Sequence, residues 1–447
     1  MGEFIDRERE LALLEELWRA PGAQLVVIYG RRRVGKTALV RRFLSGKRGI
    51  YHMCTLDTIE WNVREMLRAL AEAVGDFKIS ALEPRLDVFL RVLAEAASER
   101  FAFVIDEFPY CASVYPPMAS VIQRAWDMWL SQTKIFMVLV GSSVGMMAEH
   151  VLSRKAPLYG RRTGGMRLGE LEPHHVGRFV GGDAEDWFKA WAVVGGVPYY
   201  LKLFVPGRPV DLEVRRLFSK GGPLYEEPLF LLREELREPR IYMALLEALA
   251  AGRTKLGEVA QFAGLSSAKA SKYLWRLRQL DVVDREEVYG VRRSGRYYIK
   301  DNLFAFWFRF VYPNLSRLEL DEPEAVFADE KLDAYYGEMF ERLVRLISPR
   351  VFGVRFYKYI KGQIDIDLAG EAGGCRIYGE VKWSKEVDPI REYRRLAGLK
   401  QGDAYLVVAR GFSKPPQEGV AAVTLRDLYH ALETGRKIQL CPRRQAL

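Results

Sequence analysis

The chain has 447 residues, 49% of them apolar and 28% charged, a balance that describes a folded protein of about three domains and excludes a disordered or collagen-like one. No apolar run approaches the ~18 residues needed to span a bilayer, and the opening MGEFIDRERE is too polar for a secretory signal, so the chain reads as cytoplasmic with no membrane partner. The net charge of +10 is uneven: residues 1–239 carry +2, 240–300 carry +6, 301–330 carry −5 and 331–447 carry +7, which points to a polyanionic partner, nucleic acid and here DNA above all, the alternative being solvated lysine and arginine faces. Cys54, Cys111, Cys375 and Cys441 lie far apart with no C-x-x-C pair, and five histidines show no metal spacing, so neither disulfides nor zinc are expected. The three asparagines, among many Arg and Glu residues, fit a protein built for heat.

Strand-like runs begin at Gln24–Tyr29 and recur at Gly49–Cys54, Phe101–Asp106, Ile135–Val140 and Gly164–Leu168. Between them, Glu60–Val74 and Leu86–Ala97 carry apolar residues three and four apart, as helices packed on a sheet would. The expected fold is α/β, a parallel sheet over residues 1–169. Helical patterning with Gly-Pro punctuation follows over 170–239, as in a helical lid. A helix-helix-helix-hairpin pattern covers 240–317, an acidic linker 318–330, and a last α/β segment 331–447.

GRRRVGKT, Gly30 to Thr37, is a full G-x-x-x-x-G-K-[ST] match between a strand and a helix. The turn formed by Gly30, Arg31, Arg32, Arg33, Val34, Gly35, Lys36, Thr37 and Ala38 would wrap its N–H groups around the phosphates of ATP. Lys36 would reach the terminal phosphates and Thr37 would offer its hydroxyl to Mg²⁺. The side chains of Arg31 to Arg33 would point to solvent or to an acidic neighbour. FAFVIDEF ends in Asp106, which would hold the metal, and Glu107, which would orient and deprotonate the attacking water. IFMVLV ends in Gly141, Ser142 and Ser143, whose hydroxyls could touch the γ-phosphate or the water. Ser142 is the candidate taken, with Ser143 left open. The same loop formally matches a hydrolase G-x-S-x-G, but no acid-then-histidine signature supports that chemistry. Arg161, beside Arg162 before the last strand, could stabilise charge on a neighbouring subunit's ATP in a homo-oligomer, or be a solvated surface residue.

FIDREREL, YGRRRVGKT, VIDEF, VGSS, PLYGRR and GGVPYYL together resemble the archaeal DEXX-box ATPases, among the signal-transduction ATPases with numerous domains and near the AAA+ class. The resemblance covers the first half. It implies an ASCE-type P-loop sheet, with an extra strand between the P-loop and metal-binding strands, and puts Phe4, Arg7 and Pro198 near adenine.

Thr254–Glu286 has the outline of a helix-turn-helix: Val259, Ala260, Phe262 and Ala263 inward on one helix, Gly264 and Leu265 at the turn, Ser266 as N-cap, and Ala270, Leu274 and Leu277 inward on the next. Ser267, Lys269, Lys272, Tyr273 and Arg276 are left for an exposed face, and the hairpin with Arg292, Arg293 and Arg296 has the basic tip of a wing. Such a winged helix could enter a major groove, or serve only to pack against its own ATPase.

In the last segment, Asp365 and Asp367 share one strand face in QIDIDLA, and Glu380 and Lys382 share one in YGEVKW. Two carboxylates on neighbouring strands can bind Mg²⁺ beside a lysine that positions water for phosphodiester attack. The arrangement resembles the PD-(D/E)xK restriction-endonuclease-like fold, with Tyr335–Ile347 as its first helix and Glu338 or Glu341 completing the metal set. Asp365, Glu380 and Lys382 are the candidate catalytic residues, and Asp365, Glu380 and Glu341 the metal ligands. An ATP-gated DNA-binding regulator with an inert last domain is the alternative to a nuclease. An origin-recognition-like initiator is disfavoured by the last domain and by the G-G-x-P motif.

Overall fold

The computed structural model describes residues 4–236 and 238–441, with side chains except at Val144, Arg292, Arg293 and Ser294, so the arginine pair expected at the wing tip lies outside the described side chains. The chain forms two compact units. One runs through Leu171 and includes Val197–Tyr199; the other holds Glu172–Gly196 and continues from Tyr200.

The first unit runs α1 (Glu8–Arg19), β1 (Gln24–Tyr29), α2 (Lys36–Leu44), β2 (Gly49–Met53), α3 (Ile59–Val74), α4 (Leu86–Ala96), β3 (Phe101–Asp106), α5 (Phe108–Val114), α6 (Met118–Met128), β4 (Ile135–Gly141) and β5 (Gly164–Arg167). Its five strands are all parallel, in the order β2-β3-β4-β1-β5. Every residue of β3 and β4 is buried, as continuous apolar runs covered by helices on both faces must be. Phe43, Phe136 and Val138 pack in the core on one side of the sheet, and Leu67, Phe89 and Phe103 in the core on the other. Because β4 lies between β1 and β3, the carboxyl ends of all three strands open on one edge, where such sheets hold their ligands.

Two disulfides contradict the expectation from cysteine spacing. Cys54 is bonded to Cys111, and Cys375 to Cys441. The sequence separations, 57 and 66 residues, carry no local signature; the pairs meet only because the fold brings distant segments together.

In the second unit the segment expected as a lid packs onto the C-terminal segment. Helix α7 (Ala184–Val194) sets Phe188 with its ring centroid 5.4 Å from that of Phe340 and 4.7 Å from that of Trp383. After further helices at Val210–Phe218 and Glu227–Glu235 come α8 (Pro239–Ala250), α9 (Leu256–Phe262) and α10 (Ser267–Gln279), then a hairpin of β6 (Val283–Val288) and β7 (Val291–Ile299). Ser266 caps α10, its Oγ accepting from Lys269 N at 3.3 Å. Phe262, expected inside, is 45% exposed, because α9 already buries Val259 and Ala260 and ends there.

The C-terminal segment contributes α11 (Asp329–Val351), β8 (Tyr357–Lys361), β9 (Ile364–Ala372), β10 (Cys375–Lys382), α12 (Pro389–Leu399), β11 (Ala404–Ala409), β12 (Val420–Thr424) and α13 (Leu425–Thr434). Its strands join the hairpin in one sheet, β12-β11-β10-β9-β8-β6-β7, through a single register pair, Val288 with Lys358. The acidic stretch 318–330 is not a free linker: it buries Leu318, Val326 and Phe327, and Phe327 stacks on Phe306 with ring centroids 6.0 Å apart. Its many acids mask three core residues.

Cys375–Cys441 ties the start of β10 to the last described residue. Replacing both cysteines by serine should lower stability by about 4 kcal/mol at most, the chain-entropy value for a loop of this length, read by chemical denaturation. An unchanged midpoint would mean that the link carries no load.

Candidate functional site

The turn after β1 requires its glycines. Gly30 has φ 154°, and a Cβ there would lie 2.2 Å from Leu168 O, just past the neighbouring strand β5. Gly35, with φ 98°, is the N-cap of α2 and offers no side chain to its first-turn N–H groups, which favours an anion at that end. Lys36 is buried and curls over the turn, donating to Gly30 O at 2.9 Å and Arg31 O at 2.8 Å. Ala38 is exposed on the first turn of α2.

The three arginines of the turn have separate partners rather than a common face to solvent. Arg31 pairs with Glu170 at 3.1 Å, Arg32 donates to Tyr110 Oη at 2.8 Å, and the Arg33 guanidinium lies 4.4 Å from the ring centroid of Tyr199, next to Pro198. Arg7 is buried. It donates to Val34 O at 3.3 Å and Gly169 O at 2.6 Å, so it braces the turn from behind. Phe4 packs in the same core cluster as Val34 and Leu168.

Asp106, fully buried at the end of β3, gathers the acceptor side of the site. Thr37 Oγ1 and Tyr51 Oη each donate to its Oδ2 at 2.7 Å, and Glu107 N donates to Oδ1 at 2.9 Å. Burial, then the hydrogen bond and charge of Asp106, push the Tyr51 hydroxyl well above its ordinary pKa, so it stays a donor. Tyr51 was not legible in the sequence: it lies on the edge strand beside β3, and no motif marks it. Glu107 adopts a left-handed backbone, φ 51°, as the N-cap of α5, and both its oxygens accept from Ser142, one from Oγ and one from N at 3.3 Å. Ser143 Oγ instead accepts from Met146 N at 3.4 Å. Thr37 and Asp106 thus stand where a hard cation would replace the hydrogen bond between them, and the residues present fit a divalent metal. Arg161 is held by its own chain, in a two-pronged pair with Asp127 at 2.9 and 2.7 Å.

A second polar cluster lies on α11, β9 and β10. Of the two strand aspartates, Asp365 is exposed and faces Lys358 at 3.4 Å, whereas Asp367 is buried and accepts from Val381 N at 3.0 Å. Register explains the difference: β9 pairs with β10 only as far as Leu368 with Gly379, which sets Asp367 beside Glu380 and leaves Asp365 nearer the strand end. Burial pushes Asp367 up to about 7, with the charges of Glu341 and Glu380 adding to it. Glu380 is buried between Lys382 at 2.6 Å and Arg395 at 2.5 Å. Arg345 contacts three groups: Glu286 of the hairpin at 3.1 Å, Glu341 at 3.4 Å and Asp367 O at 3.2 Å. Glu338 turns to Arg309 at 3.4 Å. Arg395, on α12, lies thirteen residues beyond Lys382 and was invisible to motif reading.

On α10, Ser267, Lys269 and Lys272 are exposed, whereas Tyr273 donates to Glu238 Oε2 at 2.6 Å and packs edge-on against Tyr242. Trp275, absent from the expected face, is 58% exposed.

The parallel sheet and the turn with its lysine, threonine and strand-end aspartate define a P-loop ATPase. Residues 4–204 match the family described as the ATPase domain predominantly from Archaea, and residues 307–393 match a family described as Archaea bacterial proteins of unknown function. The chain belongs to this archaeal ATPase family. It is 31% identical over 433 residues to the uncharacterized protein MJECL04 of Methanocaldococcus jannaschii, covering 91% of this chain and 95% of that protein. The uncharacterized ATP-binding protein MJ0423 of the same organism is 49% identical over 45 residues, 10% of this chain and 76% of its own. Among solved structures, the Walker-type ATPase PABY2304 of Pyrococcus abyssi shares the fold at TM-score 0.53 and 22% identity, over 68% of this chain and 96% of that one. Among the described residues no helix is long and apolar enough to cross a membrane.

Truncating Arg7 to alanine removes a buried charged donor from the turn, and nucleotide affinity measured by calorimetry should fall about tenfold, the equivalent of one such bond; unchanged affinity would deny the bracing role. Asp367 supplies a pH signature. Its folded pKa lies above its unfolded value, so the unfolded chain releases the proton first and folding loses stability as pH rises from about 4 through about 7. Asp367→Asn should therefore raise the unfolding temperature at pH 8 and leave it nearly unchanged at pH 4. An equal effect at both values would refute charge crowding.

Proposed function

We propose that the protein is a Mg²⁺-dependent ATPase that acts on DNA through its second unit. The observation that carries the first part is the convergence of Thr37, Tyr51 and Glu107 N on the buried Asp106 carboxylate, one strand away from the Lys36 turn. Thr37 and Asp106 would hold Mg²⁺, whose charge offsets that of the β- and γ-phosphates. Lys36 exchanges the turn's own carbonyls for phosphate oxygens, and the uncapped start of α2 supplies N–H donors. Glu107 orients the attacking water and accepts its proton, with Ser142 fixing the carboxylate. By the family resemblance, Phe4, Arg7 and Pro198 would lie near the base.

The DNA reading rests on chemistry in the second unit. Residues 240–300 carry +6, and α10 presents Lys269 and Lys272 beside an exposed Trp275, cations for phosphates next to an aromatic ring. We read α8 to β7 as a winged helix and the C-terminal segment as a nuclease-like domain, with Asp367, Glu380 and Glu341 as metal ligands and Lys382 beside the water. A second reading, a DNA-binding regulator with an inert last domain, draws on the pairing of Glu380 with both Lys382 and Arg395 and of Glu341 with Arg345, cations that a metal would have to outcompete.

Lys36→Ala should abolish ATP turnover, and Glu107→Gln should bind ATP while hydrolysing it roughly 10²–10⁴-fold more slowly. On duplex, single-stranded and branched DNA, metal-dependent nicking that vanishes in Glu380→Ala and Lys382→Ala supports the nuclease. Salt-dependent binding without cleavage under any metal supports the regulator. Full hydrolysis by Lys36→Ala would end the ATPase reading.

A further inference from the structure

The Cys54–Cys111 disulfide has a third neighbour. One ring nitrogen of His52 and both sulfurs lie within 4.8 Å of one another, and all three residues are buried. His52 comes from β2, Cys54 follows it, and Cys111 lies on α5. Three soft donors on two elements form a thiophilic ligand set, and two of them are joined here by a covalent bond.

The imidazole is oriented from behind. His52 Nε2 lies 3.0 Å from Asn62 Oδ1. The orientation of that amide is fixed on both sides: Oδ1 also accepts from Thr55 N at 3.1 Å, and Nδ2 donates to Thr58 O at 3.0 Å. An amide oxygen only accepts, so Nε2 carries the proton and Nδ1 keeps its lone pair. With Nε2 engaged by an acceptor, Nδ1 is the nitrogen left for a metal, as in metal-ligating histidines whose other nitrogen is hydrogen-bonded. Asn62, fully buried, thereby has a role besides ordering the loop after β2.

We propose that this is a two-state site: with its cysteines reduced, His52 Nδ1, Cys54 Sγ and Cys111 Sγ bind one thiophilic divalent cation, zinc, in the place of the disulfide. Both states start from the same two thiols. In oxidation, two thiols and one disulfide of a small-molecule or protein oxidant give the Cys54–Cys111 disulfide and two thiols on the oxidant, which takes both electrons and both protons. In metallation, two thiols and one Zn²⁺ give a bis-thiolate complex and release two protons, with no change of oxidation state. Two thiolates on one zinc stand roughly 3.8 Å apart, given Zn–S bonds of about 2.3 Å and tetrahedral angles, a separation within reach of cysteines whose Cα atoms are 5.4 Å apart. Three protein ligands leave the fourth position to water.

Either link fastens α5 to the end of β2. Cys111 lies one turn along α5 from Glu107, and Cys54 N donates to Asp106 O at 2.8 Å, so the link closes around the strand end that carries both acids. The consequence for turnover rests on the proposed ATPase chemistry, whereas the metal site does not.

The test uses the full-length chain carrying Cys375→Ser and Cys441→Ser, produced and kept under a phosphine reductant without oxygen and titrated with Co²⁺ as a spectroscopic stand-in for zinc. One equivalent should give a near-ultraviolet sulfur-to-cobalt charge-transfer band and the visible bands of a tetrahedral ion, and one equivalent of Zn²⁺ should displace it. Cys54→Ser and Cys111→Ser should each weaken the sulfur band, and His52→Gln should lower affinity ~10-fold or more with both thiols intact. Should a variant fail to fold, zinc X-ray absorption on the parent protein decides, two sulfurs and one imidazole being required. The proposal is overturned if the folded, reduced protein shows no thiolate band, if the band is unchanged in Cys54→Ser, or if the cysteines form the disulfide even when the chain is refolded under reductant with zinc. ATP affinity measured alongside separates the readings: a metal site in a protein that binds no nucleotide would leave this inference standing and remove the link to Glu107.

Discussion

The first unit is organised by a single carboxylate. Asp106 has no solvent exposure, and a buried anion is costly unless its lone pairs are met. Here Thr37 brings α2 to it, Tyr51 brings the edge strand, and the N–H of Glu107 brings the start of α5. Three elements are therefore positioned by what one side chain needs. The same convergence sets the distance between the phosphate-binding turn and the residue that would handle water. Glu107 has a left-handed backbone, a conformation that costs a non-glycine residue roughly 1 kcal/mol, and its carboxylate is held by Ser142, the residue after β4.

Around that anion the unit is stiffened rather than merely packed. Arg7 connects the segment before α1 to the turn and to the chain after β5. The Cys54–Cys111 link lies on the opposite flank. The second unit solves a different problem. Its aromatic residues, Phe188, Tyr336, Phe340 and Trp383, gather helices from the middle of the chain onto the C-terminal sheet, so segments distant in sequence share one core.

What the sequence disclosed follows from the range of the interaction concerned. Fully buried parallel strands are continuous apolar runs, and the strands of the first unit start where those runs start and end within a residue of them. The turn at 30–37 and the pair at 106–107 were readable because their chemistry is local. Tyr51 and Arg395 were not, since each reaches its carboxylate from a separate element. The same reason hid both disulfides. The choice between Asp365 and Asp367 turned on a strand register that alternation alone cannot supply. The stretch 318–330 misled because composition reports average polarity, while three apolar side chains within it were enough to anchor it to the core.

Arg345 divides one positive charge between a hairpin and a knot of acids. Glu286 takes part of it, and Glu341 with the backbone of Asp367 takes the rest. The hairpin itself joins the C-terminal strands through one register pair, Val288 with Lys358, and the hydrogen bond from Tyr289 N to Lys358 O. With Glu286 in place, only part of the guanidinium charge is left to offset that of Glu341 and Asp367. One side chain thus ties the charge of the hairpin to that of the acids beyond the neighbouring strand.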